Sequence, residues 1–144
     1  MVTDAMSCLE LPNDVSFEDG SMHLVNPLTA IGLIETLKEH KARAGIQNAA
    51  ASQLGRMIIR LCQEERIPLI NIVRNEDQEK MLREELKAEH VLNSNDPDFL
   101  DKLGELAKTL RATVCFDAVA GKLTGQIMSK MPSGSVIINF GRLS

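Results

Sequence analysis

The sequence predicts an α/β fold in which helices cover both faces of a parallel sheet. Five short apolar runs alternate with longer segments whose apolar residues recur at helical spacing. One segment, residues 43–75, shows the repeating unit in full: a strand, a turn of small residues, an amphipathic helix and a second strand. Since such crossovers are right-handed, we expect a doubly wound sheet of five strands in the order 3-2-1-4-5.

Each element has its own sequence signal. Runs rich in Val, Ile and Leu predict strands over 44–48, 69–73, 90–92, 113–119 and 135–140. Helical periodicity predicts helices over 27–38, 52–65, 76–87, 97–110 and 122–131. We expect Asn26 and Asp96 to cap the helices that begin with Pro27 and Pro97, since proline is favoured at a first helical position.

The 144 residues suit one domain with a single core. Residues 1–25 carry turn signals and little periodicity, so we expect an irregular remnant of a preceding domain. Residues 26–144 are then a Rossmann-type domain whose C-terminal part is truncated after the fifth strand. That strand ends the sheet as an apolar edge, which predicts pairing with a second copy of the chain.

Composition argues against several function classes. A net charge of −4, no Trp or Tyr and only four Phe argue against nucleic acid as a partner. The sequence lacks an apolar run long enough to span a membrane, which predicts a cytoplasmic protein. Three scattered His and three scattered Cys share no ligand spacing, so no metal is expected, and no catalytic residue is assigned.

The turn after the first strand is the candidate phosphate site. Its residues form a degraded glycine fingerprint, Ala50-x-Ser52-x-x-Gly55, at the N-terminus of a helix. We expect Ala50, Ser52, Gln53 and Leu54 to approach a diphosphate, and Gly55 to let the helix pack closely on the strand. A packed turn without a ligand is the alternative interpretation.

Arg74, directly after the second strand, favours NADP(H) over NAD(H). An acidic residue there would bind a ribose hydroxyl, whereas a guanidinium matches a 2′-phosphate. Glu76 and Asp77 follow closely and oppose this argument, so a solvated arginine is the alternative.

The ends of strands four and five complete the predicted crevice. Small residues close strand four, among them Ala120 and Gly121, while Phe140 and Gly141 close strand five. They leave room for a nicotinamide ring. Asp117 fits either a cofactor contact or a helix cap.

With these residues placed, the chain resembles the cofactor-binding domain of zinc-free medium-chain dehydrogenases/reductases, in the quinone oxidoreductase and trans-2-enoyl thioester reductase branch. The segments that carry the resemblance are 26–30, 46–55, 70–74 and 88–92. It implies NADPH-dependent reduction of an activated double bond by hydride transfer. It places Ser52 to Leu54 on the pyrophosphate and Arg74 on the 2′-phosphate. The nicotinamide end falls to Ala120, Gly121, Phe140 and Gly141, and Thr29 would lie close to the cofactor.

The resemblance also implies parts that this sequence does not contain. Family members carry a separate catalytic domain, with a catalytic tyrosine in the enoyl reductases, and this chain has no Tyr. The small-molecule substrate would therefore bind mostly to the missing domain, and a full-length parent fits a mitochondrial matrix enzyme as well as a cytoplasmic one. Two other interpretations stay open: a non-catalytic binding or interaction module, and a methyltransferase, against which Arg74 argues.

Overall fold

The computed structural model describes residues 4, 6, 8 and 10–143. Helices and strands alternate through most of this part of the chain. The helices are α1 Phe17–Met22, α2 Val25–Glu39, α3 Gln53–Glu64, α4 Glu76–Glu85, α5 Phe99–Leu110 and α6 Lys122–Lys130. The strands are β1 Ala44–Gln47, β2 Leu69–Val73, β3 His90–Asn93, β4 Ala112–Asp117 and β5 Val136–Asn139.

The five strands form one parallel sheet in the order β3-β2-β1-β4-β5, which confirms the predicted topology. Alternate strand residues point to opposite faces, where two apolar clusters form. One cluster packs α2, α3 and α4 against residues such as Val114 and Phe116. The other packs α5 and α6 against residues such as Ile46 and Cys115. The carboxyl ends of all strands therefore meet at one edge of the sheet.

Two predicted helix starts and the irregular N-terminal segment need correction. Phe17–Met22 is helical, because the Ser16 hydroxyl caps it by accepting from the Asp19 N–H at 3.0 Å. Helix α2 begins at Val25, so Asn26 lies inside its first turn rather than at the cap, and the N-cap residue Leu24 makes no side-chain cap bond. Pro27 is tolerated there because first-turn N–H groups have no intrahelical acceptor.

Helix α5 begins at Phe99 rather than Pro97. The Asp96 N–H donates to the Asn93 carbonyl and the Phe99 N–H to the Asp96 carbonyl, both at 3.1 Å. Asp96, the predicted cap, therefore belongs to two tight turns that precede the helix, and Asp98 is the N-cap residue. None of the helices in the described part of the chain is long and apolar enough to cross a membrane.

Candidate functional site

A crevice opens beyond the carboxyl ends of β1 and β4, where the strand order reverses. It consists of two cavities of about 430 and 360 Å³ that share Asn48, Ser52 and Leu143 in their walls. The larger extends to Arg74 at the end of β2, and the smaller extends to Phe140 and Gly141 after β5. Ligands of open α/β sheets bind at this kind of switch point.

Helix α3 points its N-terminus into this crevice. Ser52 is its N-cap residue, and the Ser52 hydroxyl oxygen accepts from the Gly55 N–H at 3.0 Å. Gln53 and Leu54 occupy the first two helical positions, whose N–H groups have no intrahelical acceptor. The helix dipole and these N–H groups suit an anion.

Gly55 is closely packed, although the helix meets the turn after β1 and not, as the sequence predicted, the strand itself. A Cβ atom at Gly55 would lie 2.5 Å from the Ala50 carbonyl oxygen and 2.8 Å from that of Ala49. Any side chain would thus push the helix away from the turn. Ala49 itself adopts a φ of 48°, in the left-handed region that alanine rarely occupies.

The bend remains open in front of the helix. Gln53, the longest side chain at the fingerprint, is exposed, and its amide oxygen accepts from the Arg56 guanidinium. Ala50 is fully buried and its N–H donates to the Ile72 carbonyl at 3.2 Å, so Ala50 supports the turn from beneath.

A buried pair of side chains joins the two loops of the crevice. The Asn48 amide nitrogen donates to Asp117, and the Asn48 amide oxygen accepts from the Ala118 N–H at 2.8 Å. Asp117 also accepts from the N–H groups of Val119 and Ala120, both at 2.9 Å. Asp117 therefore shapes the β4–α6 loop around its own carboxylate.

This carboxylate is fully buried, and its second oxygen accepts from the Thr124 hydroxyl and from the Asn139 amide. Burial raises the pKa of Asp117, but the hydrogen bonds from Thr124, Asn48 and the backbone outweigh it and lower the pKa below its usual value. The helix-cap interpretation of Asp117 is wrong, since Gly121 is the N-cap residue of α6.

Sequence reasoning missed this pair and also missed Gln47. The Gln47 amide donates to the Gly55 carbonyl at 3.0 Å and to the Asn71 amide oxygen at 2.8 Å, although all three residues are buried. The available signal was the presence of Gln, Asn and Asp at the ends of strands that are otherwise apolar.

Arg74 lies exposed beside the larger cavity. Within the described residues, the Arg74 side chain makes no salt bridge with the neighbouring Glu76 or Asp77. Asn75 caps α4 with its side chain, so the two acids begin that helix, where its dipole favours negative charge. The guanidinium is therefore available to a ligand.

The remaining predicted residues divide into two groups. Phe140 and Gly141 line the smaller cavity, and Gly141 lies so close to β4 that a Cβ there would be 2.7 Å from the Ala118 carbonyl oxygen. Ala120 and Gly121, with φ of 64° and 73°, form the loop beside the crevice without lining either cavity. Thr29 also lies outside both cavities, and its hydroxyl donates to the Val25 carbonyl at 2.7 Å.

Metal-ligand residue types are not clustered in the described part of the chain, and among its cysteines Cys8 is exposed. No group of three or more His, Cys, Asp or Glu among the described residues is arranged to hold a metal ion. Cys62 and Cys115 are buried. Burial and then Glu65 raise the pKa of Cys62 to about 12, so its thiol stays protonated at neutral pH.

Fold and crevice together define a Rossmann-type α/β domain, and comparison with known proteins agrees. No protein-family model matches the sequence. The mitochondrial enoyl-[acyl-carrier-protein] reductase of Caenorhabditis elegans is 29% identical over 149 aligned positions, which cover 99% of this chain and 42% of the relative.

Two solved structures show the same fold along almost the whole chain. A proposed NADPH:quinone reductase of Mesorhizobium loti is 38% identical with a TM-score of 0.91, covering 98% of this chain and 41% of that protein. A second proposed NADPH:quinone reductase, from Bacillus thuringiensis, is 25% identical with a TM-score of 0.76, covering 99% and 43%. The resemblance predicted from the sequence is confirmed, and the chain spans about two fifths of the length of these relatives.

Proposed function

We propose that this chain is the NADP(H)-binding domain of an oxidoreductase that reduces an activated C=C bond of the enoyl thioester or quinone type. The observation that carries the proposal is the open, capped N-terminus of α3 facing a crevice with an available arginine beside it. The relatives, which are enoyl and quinone reductases, support the same assignment. NADPH would supply the hydride.

The N-terminus of α3 is the proposed place of the pyrophosphate. The N–H groups of Gln53 and Leu54 would donate to its oxygens, and the Ser52 hydroxyl can donate while its oxygen keeps the cap bond to Gly55. Ala50 contributes only through the backbone of the turn. Gly55 supports this arrangement by letting the first turn of α3 pack directly against the Ala49–Ala50 turn.

Arg74 would pair with the 2′-phosphate of the adenosine. Its exposed guanidinium adjoins the larger cavity, so the adenosine half would lie there and the nicotinamide half would lie toward the smaller cavity. Phe140 and Gly141 would then contact the nicotinamide end, with Ala120 and Gly121 shaping the loop beside it. Thr29 would lie close to the cofactor from its position in α2, since Asn26 of the same helix lines the smaller cavity.

Reduction requires more than this chain provides. The sequence has no Tyr to act as a proton donor, and the relatives are more than twice as long. The small-molecule substrate would bind mostly to parts outside this chain. We expect the chain alone to bind NADPH without reducing an enoyl thioester or a quinone.

The second candidate is a non-catalytic binding or interaction module. The observation that favours it is the replacement of two fingerprint glycines by Ala50 and Ser52, which restricts the approach of a diphosphate. Such a module would keep the fold without binding the coenzyme.

Titration with NADPH, NADH and S-adenosylmethionine, read by isothermal calorimetry and thermal unfolding, separates these functions. A ligand at a hundredfold over its dissociation constant stabilises the fold by about 2.7 kcal/mol. The proposal expects binding of NADPH, weaker binding of NADH and none of S-adenosylmethionine. Absence of binding by all three would favour the module, and binding of S-adenosylmethionine alone would favour a methyltransferase.

We also propose a homodimer formed through β5. This strand ends the sheet, and its Val136, Ile137 and Ile138 remain partly exposed. Light scattering coupled to gel filtration should give about twice the 15.9 kDa mass of the chain. A monomer at micromolar concentration would contradict the proposal. The cytoplasmic location, or the matrix for a longer parent, stays a prediction to be checked by cell fractionation.

A further inference from the structure

The backbone N–H and the backbone carbonyl of Arg74 both form hydrogen bonds with side chains of other residues. The Arg74 N–H donates to the amide oxygen of Gln78 at 3.1 Å, and the amide nitrogen of Asn95 donates to the Arg74 carbonyl at 2.7 Å. Gln78 lies in the first turn of α4, and Asn95 lies in the turn between β3 and α5. Both backbone groups of one exposed residue are thus satisfied by side chains.

Each of the two holding residues is itself fixed. The Gln78 N–H donates to the Asn75 side chain at 2.9 Å, and the Asn95 N–H donates to the Asn93 side chain at 3.1 Å. Between them, the Ser94 N–H donates to the Val73 carbonyl at 2.8 Å. Three segments of the chain therefore converge on a single position at the end of β2.

A long exposed arginine gains little from a phosphate if it must first be ordered. Fixing the backbone leaves only side-chain rotations to be restricted when a ligand binds, and it directs the Arg74 Cα–Cβ bond relative to the larger cavity. Arg74 lines that cavity together with Gln78, and it lines a shallower one with Asn95. The hydrogen bonds therefore fix the backbone from which the guanidinium extends.

We propose that Gln78 and Asn95 are positioning residues that hold Arg74 toward the 2′-phosphate and so set the preference for NADPH over NADH. This inference rests on the proposed function, because it needs Arg74 to contact that phosphate. The two residues act through Arg74, and NADH has no 2′-phosphate, so their loss weakens NADPH binding selectively.

The test measures the dissociation constants of NADPH and NADH for the 144-residue chain and its variants. Asn95→Ala removes the donor, and Gln78→Met removes the acceptor at nearly constant length. Each variant should raise the dissociation constant of NADPH about three- to tenfold, which corresponds to the loss of one hydrogen bond. The dissociation constant of NADH should change less than about twofold. When either substitution is combined with Arg74→Ala, the ratio of the NADPH and NADH dissociation constants should not change beyond the effect of Arg74→Ala alone.

Gln63→Ala is the matched control. The Gln63 amide also donates to a backbone carbonyl at 2.7 Å, that of Leu86, but it lies at the opposite edge of the sheet. This variant should leave both dissociation constants unchanged. Circular dichroism confirms folding, and since Asn95 and Gln78 lie on separate segments, either variant alone carries the test.

The outcomes distinguish the two proposals. If Arg74→Ala leaves the NADPH/NADH ratio unchanged, or the chain does not bind NADPH, the role of Arg74 is wrong and the inference fails with it. If Arg74→Ala lowers the preference for NADPH over NADH while Asn95→Ala and Gln78→Met do not, the inference alone is overturned. Equal weakening of NADPH and NADH would also overturn it, since it would indicate general support of the cavity.

Discussion

The side-chain amide of Gln47, at the end of β1, donates to the carbonyl oxygen of Gly55 in the first turn of α3 at 3.0 Å. The same nitrogen donates to the Asn71 amide oxygen at 2.8 Å. Asn71 in turn donates to the carbonyls of Leu69 and His90, at 3.0 and 3.1 Å. A buried chain of amides thus ties the N-terminus of α3 to three neighbouring strands.

Gln47→Leu should destabilise the domain. Leucine fills a similar volume but donates no hydrogen bond, so the buried Asn71 amide oxygen loses this partner, at a cost of about 1–3 kcal/mol. Urea denaturation measures the free energy of unfolding. Gln63→Leu, at an amide on the opposite edge of the sheet, should cost less. An equal decrease in the free energy of unfolding in the two variants would show that the buried chain of amides stabilises the domain no more than a single amide elsewhere.

The sequence predicts the sheet well because each strand is a compact apolar run between turn signals. Ser52 and Gly55 were also predictable, since the cap and the close approach depend on residues within a few positions of one another. Gln47 pairs with Asn71 across 24 positions and Asn48 with Asp117 across 69, and no local pattern shows such pairs. Only the polar character of these strand residues indicated that they needed buried partners.

Gly55→Ala should destabilise the domain and weaken coenzyme binding. The new methyl group would lie 2.5 Å from the Ala50 carbonyl oxygen, so α3 must move away from the turn, at about 1–3 kcal/mol. Urea denaturation and NADPH titration measure both effects. Gly32→Ala is the control, because Gly32 lies inside α2 and a methyl group added there would point into open space.

That control should be neutral or stabilising by up to about 1 kcal/mol, since alanine is the better helix former. If Gly55→Ala were equally harmless, the close packing of α3 on the turn would not matter for stability. If it destabilised the fold but left NADPH affinity intact, the helix end would not be the phosphate site.

Two substitutions of Ser52 separate its structural role from its proposed binding role. Ser52→Ala removes the oxygen that accepts from the Gly55 N–H and should cost about 1 kcal/mol of stability. Ser52→Asp keeps an N-cap acceptor and suits the helix dipole, so stability should be retained. Its carboxylate would repel the diphosphate, and NADPH affinity should fall at least about tenfold.

The charge control is Ser16→Asp at the N-cap of α1, which adds the same charge at a residue that lines neither cavity of the crevice. It should leave NADPH binding unchanged. Undiminished binding in Ser52→Asp, measured by calorimetry on the folded protein, would place the diphosphate elsewhere.

Acidification should weaken the fold through Asp117. Its pKa is lowered in the folded chain, so its ionised form stabilises the native state above the unfolded value of about 3.9, and this contribution is lost as the pH falls through the folded value. Asp117→Asn accepts fewer hydrogen bonds and should cost about 1–3 kcal/mol at about pH 7. The difference in the free energy of unfolding between this variant and the wild type should shrink below about pH 4.

Urea denaturation between about pH 3 and 7 measures this difference. Asp14→Asn, at an exposed turn, is the control. A difference that stays constant over this range would mean that the charge of Asp117 does not stabilise the crevice loop.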